Sequence, residues 1–277
     1  MQAFYCIAFI LALCACLVQG KRIMVLGANG ATGKRCVDLA LRRGMDVTAV
    51  TRSGELADPP TFSLAKRLTT IKGDVKDLST LPMQGVDACI FCASQSKEGG
   101  TAAEVDYQGV VNAGKRCIDA NVPRLVVVSS GATSKPWSPV FLFLNLFGGI
   151  MTNKAKGEQA IRDMYRGQPE ALGYTIVRPG GLTLEEPKGV SGIELNQYDE
   201  KSGRISRWDV AELCLESVDL SSTSRTTIEC YNKDTGKPLS QVGLSNLFKM
   251  KEEAPAIGKF EHRGSTWKEI FTGLVRD

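Results

Sequence analysis

Three glycines stand at three-residue intervals near the start of the chain, in the run VLGANGATGKR at positions 25–35. An apolar stretch precedes them and a stretch of helical periodicity follows, which predicts a tight turn between a strand and a helix. Such a turn presents free backbone amides and the positive end of a helix to a phosphate. We therefore expect a loop that binds the phosphates of a dinucleotide, with a glycine-rich turn without a ligand as the alternative. The residues of this loop are Gly27, Asn29, Gly30, Ala31, Thr32 and Gly33.

A basic residue ends the next apolar stretch, DVTAVTR at 46–52. In dinucleotide-binding sheets, an acidic residue at the end of the second strand accepts from the ribose 2′-hydroxyl of NAD, whereas an arginine suits the 2′-phosphate of NADP. Arg52 stands at this point, and its guanidinium can form two parallel hydrogen bonds with a phosphate. The sequence therefore predicts NADP(H) in preference to NAD(H). An exposed arginine without a ligand is the alternative.

Strands and helices that would position these residues alternate along the chain. Apolar stretches predict strands at 22–26, 46–52, 68–74, 86–94, 124–130, 173–180 and 226–232, and helical periodicity predicts helices near 36–42, 110–120, 154–164 and 204–218. Ser206 and Asp209 have the spacing of a capping box at the last helix. Strands that are apolar on both faces, separated by helices, are typical of a parallel sheet covered on both sides. We expect an α/β fold with a Rossmann-like doubly wound parallel sheet and a small C-terminal region on the substrate side.

Composition places most of the chain in one globular domain. The chain has 277 residues, of which 43% are apolar and 23% charged, and its net charge is +4 without a long basic run, which argues against nucleic-acid binding.

Cys89 and Cys92 have the spacing of a redox motif, but residues three apart in a strand point to opposite faces. We expect the six cysteines after residue 20 to be buried as small hydrophobic side chains. No residues have metal-site spacing, and the single histidine, His262, is expected to serve packing or the surface.

The first twenty residues carry no charge and are almost wholly apolar. This segment predicts a signal peptide cleaved after Gly20, followed by an NAD(P)-binding Rossmann domain over 21–277. A membrane anchor is one alternative, because the apolar run just reaches spanning length. A wrongly assigned start codon is another.

Several stretches together resemble one family. The run over 25–52, KGDVKD at 72–77, LVVVSSGAT at 125–133, TIVRPGGL at 175–182 and ISRWDVAEL at 205–213 are similar to the atypical short-chain dehydrogenase/reductases. Within these, the chain resembles the NmrA-like group and the NADP-binding part of a chloroplast inner-envelope translocon component. The resemblance implies that Asp74 and Val75 flank the adenine, that Ala93 and Ser94 border the adenosine side, and that Pro179 and Gly180 lie near the nicotinamide.

The same resemblance locates the catalytic positions. In catalytic members of the wider family, a Tyr-x-x-x-Lys pair moves the proton, because the lysine lowers the pKa of the tyrosine. Here the lysine is Lys154, while the tyrosine position holds Ile150, which cannot exchange a proton. Ser129 or Ser130 stands near the place of the catalytic serine, and Ser130 and Lys154 are the candidate catalytic residues. Lys154 is also expected to hold the nicotinamide ribose.

Two functions remain open. The first is an NADPH-dependent reductase or isomerase that acts on an apolar substrate and uses water or a serine in place of the tyrosine. The second is a non-catalytic NADP(H)-binding redox sensor or scaffold for a protein partner. The apolar stretch VFLFLNLFGGIM at 140–151 could wall a pocket, contact a membrane or partner, or pack as core. The leader together with the resemblance favours a plastid reached through the secretory route, with the ER lumen as the alternative.

Overall fold

An eight-stranded sheet forms the centre of the fold. The computed structural model describes residues 20–59, 62–239, 242 and 260–277. The strands are β1 (Arg22–Leu26), β2 (Asp46–Thr51), β3 (Leu68–Lys72), β4 (Ala88–Phe91), β5 (Arg124–Val128), β6 (Gly173–Pro179), β7 (Gly181–Thr183), β8 (Ile193–Asn196), β9 (Lys201–Ser202), β10 (Arg204–Ser206), β11 (Thr226–Asn232) and β12 (Lys237–Pro238). Eight of them form this sheet in the order β3-β2-β1-β4-β5-β6-β11-β8, while β7 pairs with β10 and β9 pairs with β12 in two small separate sheets.

In the eight-stranded sheet, all neighbouring strands from β3 to β11 run parallel, and β8 pairs antiparallel with β11. The strand order reverses between β1 and β4, so the connections leave the carboxyl ends of these two strands in opposite directions and open a crevice there. The expected α/β class and doubly wound parallel sheet are confirmed.

Helices cover both faces of the sheet. They are α1 (Gly33–Arg42), α2 (Phe62–Ala65), α3 (Val110–Asp119), α4 (Pro139–Asn145), α5 (Ile150–Tyr165), α6 (Arg207–Asp219) and α7 (Trp267–Ile270). A π-helix over Ala103–Gly109 leads directly into α3. Short 3-10 turns lie at Leu78–Thr80, Val190–Gly192 and Ser221–Thr223.

The alternation of side chains along β1 divides the core into two layers. Ile23 and Val25 point to one face and join the buried residues of α1 and α6. Met24 and Leu26 point to the other face and join α3 and α5. Strand β1 is therefore apolar on both sides, as a central strand between two helical layers requires.

The predicted capping box at α6 is correct in one half and wrong in the other. The Ser206 hydroxyl accepts a hydrogen bond from the Trp208 amide at 3.2 Å, as a helix cap does. The Asp209 carboxylate does not return to the cap. It accepts instead from the backbone amides of Lys188 and Gly189, both at 3.0 Å, because that loop crosses the start of the helix.

The cysteines behave as the sequence predicts. Five of the six after residue 20 are buried, Cys92 is half-buried, and all six are free thiols. Cys89 lies in the core layer of α3 and α5, whereas Cys92 packs on the opposite side with its Sγ 3.9 Å from that of Cys36. Cys89 and Cys92 therefore do not form a redox pair.

The predicted leader at 1–20 lies outside the described residues except for Gly20. Among the helices that the structure does describe, none has both the length and the apolar character to cross a membrane.

Candidate dinucleotide site

A cleft of about 1120 Å³ opens at the carboxyl ends of the central strands. It lies where the strand order reverses, which is where open α/β sheets bind ligands. The predicted site residues that line it are Gly27, Asn29, Gly30, Ala31, Thr32, Arg52, Asp74, Val75, Ala93, Ser94, Ser130 and Lys154. The structure thus brings together in one cavity residues that are up to 127 positions apart in the chain.

The glycine loop fits closely between β1, β4 and α1. Gly27 has φ +79°, and a Cβ there would lie 2.8 Å from the backbone of Ala93. Gly33 does not line the cleft. A Cβ on Gly33 would lie 2.2 Å from the Gly27 carbonyl oxygen, so glycine at this position lets the first turn of α1 pack against the loop. Both positions therefore require glycine, one for the turn and the other for the close helix.

The start of α1 is suited to an anion. Thr32 is its N-cap, and no side chain caps the first amides. The first turn contains no acidic residue. Among the described residues, the amides of Ala31, Thr32 and Gly33 have no acceptor, whereas those of Lys34 and Arg35 already donate to the Gly30 and Thr32 carbonyls. A phosphate at the positive end of the helix dipole can satisfy the free amides.

Asn29 joins the glycine loop to the loop that follows β2. Its side-chain nitrogen donates to the Glu55 carbonyl at 3.0 Å, and its side-chain oxygen accepts from the Ala57 amide at 2.9 Å. The amide group of Asn29 is thus used to hold Arg52 and its neighbours at the cleft. A direct contact between Asn29 and a ligand stays a prediction.

Arg52 is exposed at the mouth of the cleft, beyond the end of β2. Its guanidinium lies beside Gly99, where a Cβ would come within 3.3 Å of Nη1. No carboxylate among the described residues forms an ion pair with it. The guanidinium therefore stands beside the cavity with its hydrogen-bond donors available to a ligand.

Lys154 is held by a carboxylate that the sequence analysis missed. Its Nζ lies 2.8 Å from Oδ1 of Asp106, whose side chain is fully buried in the π-helix. Asp106 also accepts from the Ser94 hydroxyl at 2.7 Å and from the Gln95 amide at 2.9 Å. One buried carboxylate therefore positions both the candidate catalytic lysine and the loop that follows β4.

Close packing between α5 and the π-helix brings Lys154 and Asp106 within ion-pair distance. A Cβ on Gly157 would lie 2.6 Å from the Asp106 carbonyl oxygen, so only glycine allows the two helices to approach this far. π-Helical turns occur frequently at functional sites, and this one places Asp106 under the cleft. The sequence offers no distinct signal for Asp106, since Glu104 and Asp106 both precede the same helical stretch.

The two serines after β5 differ in their partners. The Ser129 hydroxyl donates to Glu158 Oε1 at 2.5 Å, whereas the Ser130 hydroxyl donates to the Gly131 carbonyl at 3.1 Å. Both line the cleft. Glu158 lies one helical turn after Lys154 on α5 and was not singled out from sequence.

A buried charge network lies behind Ser129. The Arg178 guanidinium contacts Glu158 at 2.6 Å and Asp199 and Glu229 at 3.0 Å each. Burial alone lowers the pKa of Arg178, but the three carboxylates raise it overall. Burial, followed by repulsion from Asp199, raises the pKa of Glu229 to about 8, although Arg178 opposes the shift. Because three carboxylates surround a single guanidinium, protonation of Glu229 is favoured.

Apolar side chains occupy the part of the cleft beyond β5. They are Val128, Leu144, Ile150, Met151 and Leu182. Ile150 faces the cavity at the position where the resemblance would place the catalytic tyrosine. The stretch at 140–151 both walls this pocket and contributes Val140, Phe141 and Met151 to a small core cluster, while Leu146 is 80% exposed.

Besides Gly33, two of the site residues predicted from sequence lie outside the cleft. Pro179 and Gly180 do not line it. The Gly180 amide donates to the Cys230 carbonyl at 2.9 Å, and a Cβ there would meet the Gly203 carbonyl oxygen at 2.3 Å. Their proximity to the nicotinamide stays a prediction. His262 is likewise remote, with Nδ1 3.0 Å from the Thr272 carbonyl oxygen.

No group of three or more His, Cys, Asp or Glu side chains is arranged to hold a metal ion within the part of the chain that the structure describes.

Known proteins share both sequence and fold with this chain. A family model described as NAD(P)H-binding matches residues 27–220. An uncharacterised chloroplastic protein of Arabidopsis thaliana is 34% identical over 225 residues, which cover 76% of this chain and 77% of the relative. An oxidoreductase of Lactococcus lactis superposes with a TM-score of 0.64 at 23% identity, covering 84% of this chain and 99% of its own.

A short-chain dehydrogenase/reductase of Veillonella parvula, solved in complex with NADP, superposes with a TM-score of 0.60 at 20% identity and covers 76% of this chain and 94% of its own. The family match extends over the glycine loop, the sheet and the cleft described above. The chain therefore belongs to the NAD(P)H-binding family of Rossmann-fold proteins.

Proposed function

We propose that this protein is an NADP(H)-dependent oxidoreductase that acts on an apolar substrate. The supporting observation is that different kinds of residues line the cleft on the two sides of the point where the strand order reverses. The glycine loop and Arg52 lie above β1 and β2, whereas Lys154, the serines and the apolar wall lie beyond β4 and β5. A dinucleotide laid across the reversal would place its phosphorylated adenosine at Arg52 and its nicotinamide beside the apolar wall.

Arg52 carries the preference for NADP(H). An exposed guanidinium without an acidic partner in the part of the chain that the structure describes suits a phosphate dianion and gains little from a neutral ribose hydroxyl. Asn29 keeps the Arg52 loop in position through its two hydrogen bonds to that loop.

The bound dinucleotide would supply or accept a hydride. Lys154, fixed by its ion pair with Asp106, would hold the ribose hydroxyls of the nicotinamide half. Ile150 cannot donate a proton, so the proton must come from water or from the Ser129 or Ser130 hydroxyl. The apolar wall favours a substrate whose reacting carbon belongs to an apolar framework.

A non-catalytic NADP(H) sensor is the second candidate, and Ile150 is the observation that favours it. An aliphatic side chain where the family's active members carry the proton donor removes the usual chemistry while leaving the cofactor site intact. The two candidates differ in turnover, because only the oxidoreductase consumes NADPH in the presence of a substrate.

For location, we propose a plastid. The support is the chloroplastic relative together with the apolar leader. Fusion of residues 1–20 to a fluorescent protein tests whether the leader directs a passenger to the plastid. Retention of the passenger in the cytosol would contradict the proposal.

A fluorescence titration with NADPH and, separately, NADH tests the cofactor proposal. Arg52→Asp should weaken NADPH binding by about 10- to 100-fold, as expected for loss of a charge-assisted contact, without weakening NADH binding. Arg166→Asp is the matched control, because Arg166 is an exposed arginine at the end of α5. Equal binding of both dinucleotides to the unaltered protein would refute the NADP(H) preference, and binding of neither would refute the function.

A further inference from the structure

Arg207 lines the cleft from the start of α6. It follows β10, which pairs with β7, so it approaches from the side of the sheet beyond β6. Its side chain donates from Nη1 to the Thr183 carbonyl at 3.1 Å, which fixes the guanidinium beside the cavity. The remaining donors of the guanidinium are not engaged by this bond.

A second arginine stands behind the first. Arg35, in the first turn of α1, donates from Nη1 to the Ala31 carbonyl of the glycine loop at 2.6 Å. Its guanidinium lies 5.1 Å from the ring centroid of Trp208, the residue after Arg207. Arg35 thus connects the glycine loop to the start of α6, so that both arginines lie close to the phosphate-binding turn.

Neither arginine has a counter-ion within the described residues. Arg35 and Arg207 form no ion pair with any carboxylate there, and Nε of Arg35 is buried without a hydrogen-bond partner. Burial, and then the charge of Arg35, lowers the pKa of Arg207. Arg178 illustrates the contrast, since that buried guanidinium is surrounded by three carboxylates. Two positive charges that are held close together beside a cavity favour the binding of an anionic ligand.

We propose that Arg207 binds the diphosphate of the dinucleotide from the α6 side of the cleft, with Arg35 as a positioning residue that adds positive charge behind it. This inference rests on the proposed function. The planar fork of a guanidinium matches two phosphate oxygens. The link through Arg35 to Ala31 places this charge at the glycine loop, away from the Arg52 end of the cleft where the 2′-phosphate is expected.

Binding of three ligands to the Arg207→Gln variant tests the proposal. NADPH and ADP-ribose both contain the diphosphate, whereas 2′-AMP lacks it. Arg207→Gln should weaken NADPH and ADP-ribose by about 10- to 100-fold and leave 2′-AMP unchanged. Arg207→Lys, which keeps the charge but not the fork, should retain part of the affinity. Arg166→Gln is the control for removing one positive charge elsewhere.

The outcomes separate this inference from the proposed function. If Arg207→Gln binds NADPH and ADP-ribose as tightly as the unaltered protein does, Arg207 does not bind the diphosphate and the inference is refuted. An equal loss for all three ligands would also overturn it, since the effect would then not be specific to the diphosphate. If the unaltered protein binds no dinucleotide at all, the proposed function itself fails before Arg207 is considered.

Discussion

The ion pair between Lys154 and Asp106 can be tested by a double-mutant cycle. Lys154→Met removes the ammonium and keeps most of the aliphatic stem. Asp106→Asn removes the negative charge and keeps the shape. The two groups are 2.8 Å apart, with 12% of the lysine side chain and none of the aspartate side chain exposed. A pair this well buried should couple the effects of the two substitutions.

The contacts set the expected magnitudes. Removing one partner of a buried ion pair destabilises a protein by about 3–5 kcal/mol when the other charge is left alone. Asp106 keeps hydrogen bonds from Ser94 and Gln95, so we expect Lys154→Met to lower the free energy of unfolding by about 2–4 kcal/mol. Asp106→Asn should have a smaller effect, because the partly exposed lysine ammonium can reach water. The double variant should be less destabilised than the sum, with a coupling of about 1–3 kcal/mol.

Urea unfolding of the four proteins measures the coupling, and NADPH titration of the same four measures its consequence for binding. Asp106→Asn should weaken NADPH binding although Asp106 itself is buried below the cleft, because Lys154 and Ser94 lose their anchor. Additivity of the two single effects within about 0.5 kcal/mol would refute the coupling. Normal NADPH affinity in Asp106→Asn would refute the positioning role.

Two further predictions concern the glycine loop and the buried charges. Gly33→Ala places a Cβ 2.2 Å from the Gly27 carbonyl oxygen, so it should destabilise the fold by about 1–3 kcal/mol and weaken NADPH binding, whereas Gly167→Ala, with nothing within 4 Å, should do neither. The pKa of Glu229 rises from 4.5 to about 8 on folding. The folded protein therefore keeps a proton that the unfolded chain releases, and this contribution to stability is complete below about pH 4.5 and falls, by at most about 1.4 kcal/mol per pH unit, as the pH rises to 8. Urea unfolding across this range should show a weaker pH dependence in Glu229→Gln, and a pH-independent difference between the two proteins would contradict the assignment.

Local patterns predicted most of the sheet and the glycine loop. Strands β1 and β11 have the predicted bounds, and the turn at Gly27 and Gly33 has the predicted form because it depends on neighbouring residues alone. Strand β4 is shorter than predicted, Ala88–Phe91 within 86–94, since its apolar character continues into the residues that line the cleft.

The partners of the site residues could not be predicted in this way. Asp106 meets Lys154 only because a π-helix and α5 pack closely, and Glu158 meets Arg178 only because α5 lies over β6. Such contacts join residues 20 to 48 positions apart and leave no periodic signal in the sequence. Arg207 was seen from sequence only as part of a family-like stretch, and its charge became informative once the absence of an ion-pair partner among the described residues was visible.

The two hydrogen bonds of the Asn29 amide have a thermodynamic consequence. They hold the phosphate-binding turn and the Arg52 loop as one preorganised surface, so the ordering of these two loops relative to each other takes place during folding and not during association. The diphosphate and the 2′-phosphate of a ligand then meet a surface already in register. A ligand that carries both groups should therefore bind with a high effective concentration of one group at the other's subsite, and severing the link at Asn29 would lower that effective concentration while leaving the affinity of ligands with only one of the two groups nearly intact.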